Sequence, residues 1–181
     1  MSAASLKLLG RIVIVSAVFA PAVALDQLTK RWALDALGDG RAIELVPSVR
    51  LELTFNPGVA FGMGAAVGSP LAFALLAVVL ALLSWIVVRT IRNPSITATA
   101  FLAVVAGGAT GNMWDRISRA DDGPLSGHVV DFIAVDWFAV FNVADILTTC
   151  GIAAWAVVIT IHPGARRGNN VNRPTQIRVE G

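Results

Sequence analysis

Long apolar runs alternate with short polar interruptions along this chain, and the run lengths predict the main elements. Residues 71–88 contain one polar side chain, Ser84, and eighteen residues nearly suffice for a helix to cross roughly 30 Å of hydrocarbon. A second run, 96–113, is rich in Ala, Gly and Thr. Within it Ala103, Gly107 and Gly111 repeat every fourth position, a stripe of small residues that lets another helix approach closely. A third run covers 141–161. The first covers 8–34 and contains Arg11 and Pro21. Its Ala22-Val-Ala24 resembles the small-residue cleavage site of a removable secretory leader. A removable leader is the competing reading; the helix is expected to continue through Asp26 and Lys30 to Leu34.

One segment has a different period. Val49, Leu51, Leu53 and Phe55 alternate with Arg50, Glu52 and Thr54, the pattern of a half-buried strand. Residues 42–46, followed by Pro47-Ser48, could supply a hairpin partner. The pattern therefore predicts an all-α membrane protein, a bundle of four transmembrane helices with a small sheet on one side. Residues 1–162 form a single domain, followed by a basic, disordered tail at 163–181.

Composition agrees. Of 181 residues 56% are hydrophobic and 14% charged, and the mean hydropathy is +0.72, whereas soluble domains carry about a quarter charged residues. The pI near 9.3 could suggest nucleic acid, but the cations form no single face, so no nucleic-acid partner is expected. They mark topology instead. Lys7 and Arg11 precede the first run, Arg89 and Arg92 separate the second and third, and Arg166, Arg167, Arg173 and Arg178 follow the last. Segment 115–136 carries a net charge of −3. The positive-inside rule then places both termini and the 89–95 loop in the cytoplasm, with residues 35–69 and 113–140 outside. Trp32, Trp114 and Trp137 suit an outer interfacial belt and Trp85 an inner one. Cys150, the single cysteine, excludes an internal disulfide and is expected to pack as a small apolar side chain.

The polar interruptions carry most of the acids. Asp26, Asn112 and Asp145 lie fifteen, nineteen and seventeen residues from Arg11, Asn93 and His162, or about 22, 28 and 26 Å from the cytoplasmic side at 1.5 Å per residue. All three reach one depth near the outer boundary. Asn112, Asp115 and Arg116 share a helix face, as do Asn142 with Asp145 and Asp26 with Lys30. Asp131 has no helix of its own, yet its loop must return to the last span ten residues later. One polar site near the outer surface is thus allowed.

Two adjacent carboxylates share one proton, and one can then activate water while the other acts as acid. Other hydrolytic chemistries find little support: there is no His-Glu-x-x-His motif, and the only histidines are His128 and His162. No metal site is expected. Blander roles stand beside the catalytic one. Asp115 with Arg116 could be an interfacial ion pair, Asp26 with Lys30 a structural one, and Asp121, Asp122 and Asp136 solvated loop charges. A proton-coupled transporter using the same acids, or a non-catalytic assembly subunit packed through the small-residue stripe, are the alternatives from other classes. The clustering of polar groups at one end favours an enzyme over a transporter, which needs a path to both sides.

Five motifs carry a family resemblance: Asp26-Gln-Leu-Thr-Lys30, Asn56-Pro-Gly-Val-Ala-Phe61, Gly107-Gly-Ala-Thr-Gly-Asn-Met-Trp-Asp-Arg116, Val130-Asp-Phe-Ile133 and Phe141-Asn-Val-Ala-Asp145. In this order, on four spans, they resemble the bacterial lipoprotein (type II) signal peptidases over nearly the whole chain. Pro57 and Val59 depart from the residues common there, as does the 121–124 loop. The resemblance implies an aspartic endopeptidase that removes signal peptides from diacylglyceryl-modified prolipoproteins, cutting just before the lipidated cysteine. It maps the catalytic pair onto Asp131 and Asp145. Supporting roles fall to Asp26, Asn56, Asn112, Asp115, Arg116 and Asn142, with Lys30, Gly58 and Ala144 of the same motifs. It further implies no cofactor, membrane lipid and prolipoproteins as partners, a monomer in the inner membrane, a site near the extracytoplasmic face, a mobile outer helix or loop, and sensitivity to globomycin.

Overall fold

The computed structural model describes residues 2–58, 69–92 and 95–161. Val59, the Phe61 end of its motif and the basic tail at 163–181 lie outside the described residues. In chain order the elements are α1 (Ala3–Leu37), β1 (Ile43–Val46), β2 (Val49–Asn56), α2 (Ser69–Arg92), α3 (Ile96–Ser118), β3 (Val129–Val135) and α4 (Val143–Ile161). Among the described residues, the four helices are each long and apolar enough to cross a membrane.

Local chemistry sets the helix boundaries. Ser2 caps α1 by accepting from the Ser5 N–H at 3.2 Å, and Ser95 caps α3 by accepting from the Ala98 N–H at 3.3 Å. The helix α1 runs unbroken through Pro21 and past Ala22-Val-Ala24 to Leu37. The extent of α3 differs from the expected 96–113. It continues to Ser118 because Asp115 and Arg116, on its last turns, are buried against partners instead of entering a loop. The start of α4 moves the other way, from 141 to Val143. Phe141 is held in extended backbone, exchanging hydrogen bonds with Ile133 at 2.9 and 3.0 Å.

The bundle is organised around α3. Its most apolar window has a mean hydropathy of 1.3, against 2.9 for α2, because α3 faces protein where α2 presents Phe73, Val78 and Leu80 outward. Small residues permit this. A Cβ on Gly107 would lie 2.5 Å from the Ala22 Cβ of α1, and one on Gly108 would lie 2.5 Å from the Ala144 carbonyl oxygen of α4. The expected small-residue stripe is therefore the seat of α1, and the glycine next to it seats α4.

The three strands form one antiparallel sheet in the order β1-β2-β3. The hairpin β1–β2 matches the expected pairing of 42–46 with the 49–55 alternation. The third strand departs from the expectation of a loop around Asp131. Residues 129–135 are buried or half-buried throughout and, Asp131 apart, apolar on both faces, so no period of two appears. Leu51 and Leu53 of β2 pack with Ala33, Leu37 and Phe132, which attaches the sheet to the end of α1. Phe55 instead stays 48% exposed; the register shifts between Leu51 and Thr54, so the alternation does not hold through the strand.

At the opposite end of the bundle Arg11 donates to the Ile91 carbonyl at 3.3 Å, and Arg89 lies 5.4 Å from the Trp85 ring. Polar clusters thus cap both ends, with the acids at the sheet end. Replacing Gly107 by Ala is expected to destabilise the bundle by about 1–3 kcal/mol through overpacking against α1. Gly10→Ala, with open space around it, should be neutral or slightly stabilising. Thermal unfolding in detergent compares the two; equal melting temperatures would contradict the close α1–α3 contact.

Candidate active site

The sheet end of the bundle contains a buried ammonium group. Lys30, 1% exposed, places Nζ 2.9 Å from Asp26 Oδ2, 2.9 Å from Asp115 Oδ2 and 2.7 Å from Asn112 Oδ1. Asp26 and Asp115 are both fully buried. Each acid also accepts from a backbone N–H of another element. Asp26 Oδ1 accepts from Ala144 at 3.1 Å, which ties α1 to α4, and Asp115 Oδ2 accepts from Val130 at 3.1 Å, which ties α3 to β3. Gly111 is required beneath Asp26, because a Cβ there would fall on the carboxylate.

Asn112 and Asn142 connect this cluster to the two candidate catalytic acids. Asn112 Nδ2 donates to Asp145 Oδ1 at 3.1 Å. Asn142 Nδ2 donates to Asn112 Oδ1 at 3.0 Å and to Asp131 Oδ1 at 2.7 Å. Asn142 is also the cap of α4. Its Oδ1 accepts from the Asp145 N–H at 3.1 Å, while Asp145 Oδ2 accepts from the Asn142 N–H at 3.1 Å. This reciprocal pair is a capping box, with Asp145 as its third helical residue. One asparagine therefore touches both acids.

Asp131 sits mid-strand in β3, opposite Thr54 of β2. Its Oδ2 accepts from Asn56 Nδ2 at 3.0 Å. Asn56 Oδ1 accepts in turn from the Gly58 N–H at 2.9 Å. Arg116 donates to the Pro57 carbonyl at 3.3 Å and to the Gly58 carbonyl, so it holds the chain just after β2. Burial pushes the Asp131 carboxyl up to about 6; hydrogen bonds from Asn56 and Asn142 oppose the shift and the charge of Asp145 adds to it.

A cavity of about 570 Å³ opens beside these groups. Asp131, Asp145, Asn56, Asn112 and Arg116 line its polar end, and Leu75, Val78, Val79, Met113 and Ile146 its apolar wall. Asp26, Lys30, Asp115 and Asn142 do not line it; they stand behind the residues that do.

All the sequence-derived site residues thus gather in one region, but several details differ from expectation. Asp115 and Arg116 do not form an ion pair with each other: Asp115 faces Lys30, while Arg116 binds backbone carbonyls. Asp136 is exposed but not simply solvated, since Arg50 Nη1 lies 2.5 Å from its Oδ1. Cys150 is exposed and lines the cavity instead of packing in the bundle. Gln27 joins the site without having been expected there. Its Nε2 donates to Asp26 Oδ2 and to the Gly111 carbonyl, both at 3.0 Å. Its place inside the Asp26–Lys30 motif was the only available signal. No group of three or more His, Cys, Asp or Glu side chains suited to a metal ion occurs among the described residues.

Comparisons with known proteins agree on one family. Residues 18–161 match the family model described as signal peptidase (SPase) II. A lipoprotein signal peptidase of Bifidobacterium adolescentis is 37% identical over 163 residues, covering 89% of this chain and 84% of the relative. One from Rhodococcus jostii is 40% identical over 151 residues, covering 81% and 73%. A solved bacterial membrane enzyme superposes with a TM-score of 0.65 at 24% identity, covering 90% of this chain and 94% of its own. On its sequence, its four spanning helices and its small sheet, the chain belongs to the signal peptidase II family.

Proposed function

We propose that this chain is an aspartic endopeptidase that removes signal peptides from diacylglyceryl-modified prolipoproteins, cutting just before the lipidated cysteine. The observation that carries the reading is the placement of Asp131 and Asp145 on one cavity, joined through Asn142, with an apolar wall beside them. The wall suits acyl chains or an apolar leader peptide, and the carboxylates suit hydrolysis of a peptide bond. One chain carries every group that the step requires, so a monomer without a cofactor suffices.

The surroundings divide the roles. Asp145 lies in the first turn of α4 and accepts two N–H groups, and a helix N-terminus favours negative charge. Asp131 is buried and its carboxyl is pushed up to about 6. Asp131 therefore carries the shared proton and Asp145 is the general base. Asp145 removes a proton from water as the oxygen adds to the scissile carbonyl carbon. Asp131 gives its proton to the carbonyl oxygen, forming a gem-diol. Asp145 then protonates the leaving nitrogen as the C–N bond breaks, while Asp131 recovers a proton from the gem-diol hydroxyl. The pair ends with the single proton it began with. Asn56, Asn112 and Asn142 keep the two acids in position, and Arg116 shapes the cavity rim through the 57–58 backbone.

The distribution of basic residues supports a site on the extracytoplasmic side, with both termini and the 89–95 loop in the cytoplasm. In a Cys150→Ala background, a cysteine replacing Asp122 should react with a membrane-impermeant reagent added outside, and one replacing Lys7 should not. The reverse pattern would overturn the orientation.

Replacing Asp131 or Asp145 by Asn should lower turnover of a purified diacylated prolipoprotein by about 10³-fold or more. The double variant should be little worse, since groups acting as one unit are not additive. Chelators should have no effect. A folded Asp131→Asn protein that cuts at a near-normal rate would exclude the pair.

The pH dependence has a definite sign. Asp131 must be protonated, and its pKa of about 6 belongs to the free protein, which kcat/KM reports. Thus kcat/KM should fall as pH rises above about 6, approaching a tenfold loss per pH unit. A profile rising from pH 6 to 8 would show that Asp131 is not the acid.

A further inference from the structure

Lys30 takes no part in the steps above, yet it is buried and contacts Asn112, one of the two amides that touch the acids. A lysine ammonium donates three hydrogen bonds and accepts none. All three have acceptors: Asp26 Oδ2, Asp115 Oδ2 and Asn112 Oδ1. The contact with Asn112 has a directional consequence. A side-chain amide can present either its oxygen or its nitrogen to a neighbour, and its contacts decide which. Facing Lys30, Asn112 must present the oxygen, so its Nδ2 is turned to Asp145 Oδ1 at 3.1 Å.

The same constraint passes to the second amide. Asn112 Oδ1 accepts from Asn142 Nδ2 at 3.0 Å. Asn142 presents nitrogen on this side, where it also donates to the Val130 carbonyl at 3.3 Å, and that nitrogen donates to Asp131 Oδ1 at 2.7 Å. Its oxygen is left for the Asp145 N–H at 3.1 Å, the cap of α4. With the opposite polarity, carbonyl oxygens would face carboxylate oxygens at both acids.

We propose that Lys30 is a positioning residue that sets the donor polarity of the Asn112 and Asn142 amides, so that Asp131 and Asp145 both face N–H groups. This goes beyond a structural ion pair with Asp26, which would need only the first of the three contacts. It rests on the peptidase reading, because the polarity matters only if the two acids do the chemistry. Lys30 also bears on the charge of Asp131, whose surroundings include Asp145, Lys30 and Arg116; removal of the ammonium should therefore shift the alkaline limb of kcat/KM to higher pH.

The test is a cycle of Lys30→Met and Asn112→Ala, with cleavage of a diacylated prolipoprotein by wild type established first. Failure of wild type to cut would reject the peptidase reading itself. If it cuts, Lys30→Met should lose about 100-fold in kcat, with KM changed no more than about threefold because the residue lies behind the cavity. Its kcat/KM limb should move upward in pH. Asn112→Ala should cost little more in the Lys30→Met background, since both act through one amide. If Lys30→Met does not fold, Lys30→Met with Asp26→Asn keeps the net charge of the cluster and is used in its place. Folded protein with a near-normal kcat, an unmoved pH limb, or losses that simply multiply would overturn the proposal.

Discussion

The ammonium of Lys30 sits in a protein interior where an unpaired charge would cost several kcal/mol, and its three acceptors come from α1 and α3. Those acceptors reach further: Asp26 binds the first turn of α4, Asp115 binds β3, and Asn112 binds Asp145. Four elements are therefore joined through one buried cation. Pairing of this kind adds little net stability compared with an apolar core, but removing a single partner leaves a buried charge uncompensated and costs about 3–5 kcal/mol. Besides Lys30, the two carboxyl groups meet the backbone N–H groups of Ala144 and Val130, and Arg119 Nε lies 3.7 Å from Asp115 Oδ1.

Such a cluster can form only if the helices come close, and the small residues of α3 provide that proximity. Gly107 lets α1 approach, Gly111 leaves room for the Asp26 carboxylate, and Gly108 admits the carbonyl of Ala144. A stripe that could have served association between subunits is used up inside the chain. The same geometry explains why α3 is the least hydropathic of the four spans: its neighbours are helices and polar groups, whereas α2 and α4 must also satisfy lipid.

The two acids on the cavity are held by different means. Asp145 belongs to a capping box at the start of a helix, where N–H groups are already oriented toward it. Asp131 lies in a strand covered on both sides, so burial dominates its behaviour. Two chemically identical side chains thereby stand in unlike surroundings, one at a helix start and one buried in a strand, and this asymmetry underlies the proposed assignment of base and acid. Asn142 joins the two by touching both.

What the sequence by itself determined follows from constraints that act locally. Hydrocarbon thickness demands apolar runs of set length, so the spans at 71–88 and 96–113 could be counted. A half-covered hairpin demands alternation, so 49–55 could be recognised. Helical rise put Asp26, Asn112 and Asp145 at a common depth, and helical spacing put Asn112 with Asp115, and Asn142 with Asp145, on a common face. Tertiary structure alone decided the rest. Asp131 lies in a strand that sequence could not reveal, because burial on both faces erases the period of two. Asp115 and Arg116 take separate partners, because consecutive helical residues point in different directions. The facing of the Asn112 and Asn142 amides, and the exposure of Cys150 on the cavity, depend on neighbours distant in the chain, and no local pattern encodes them.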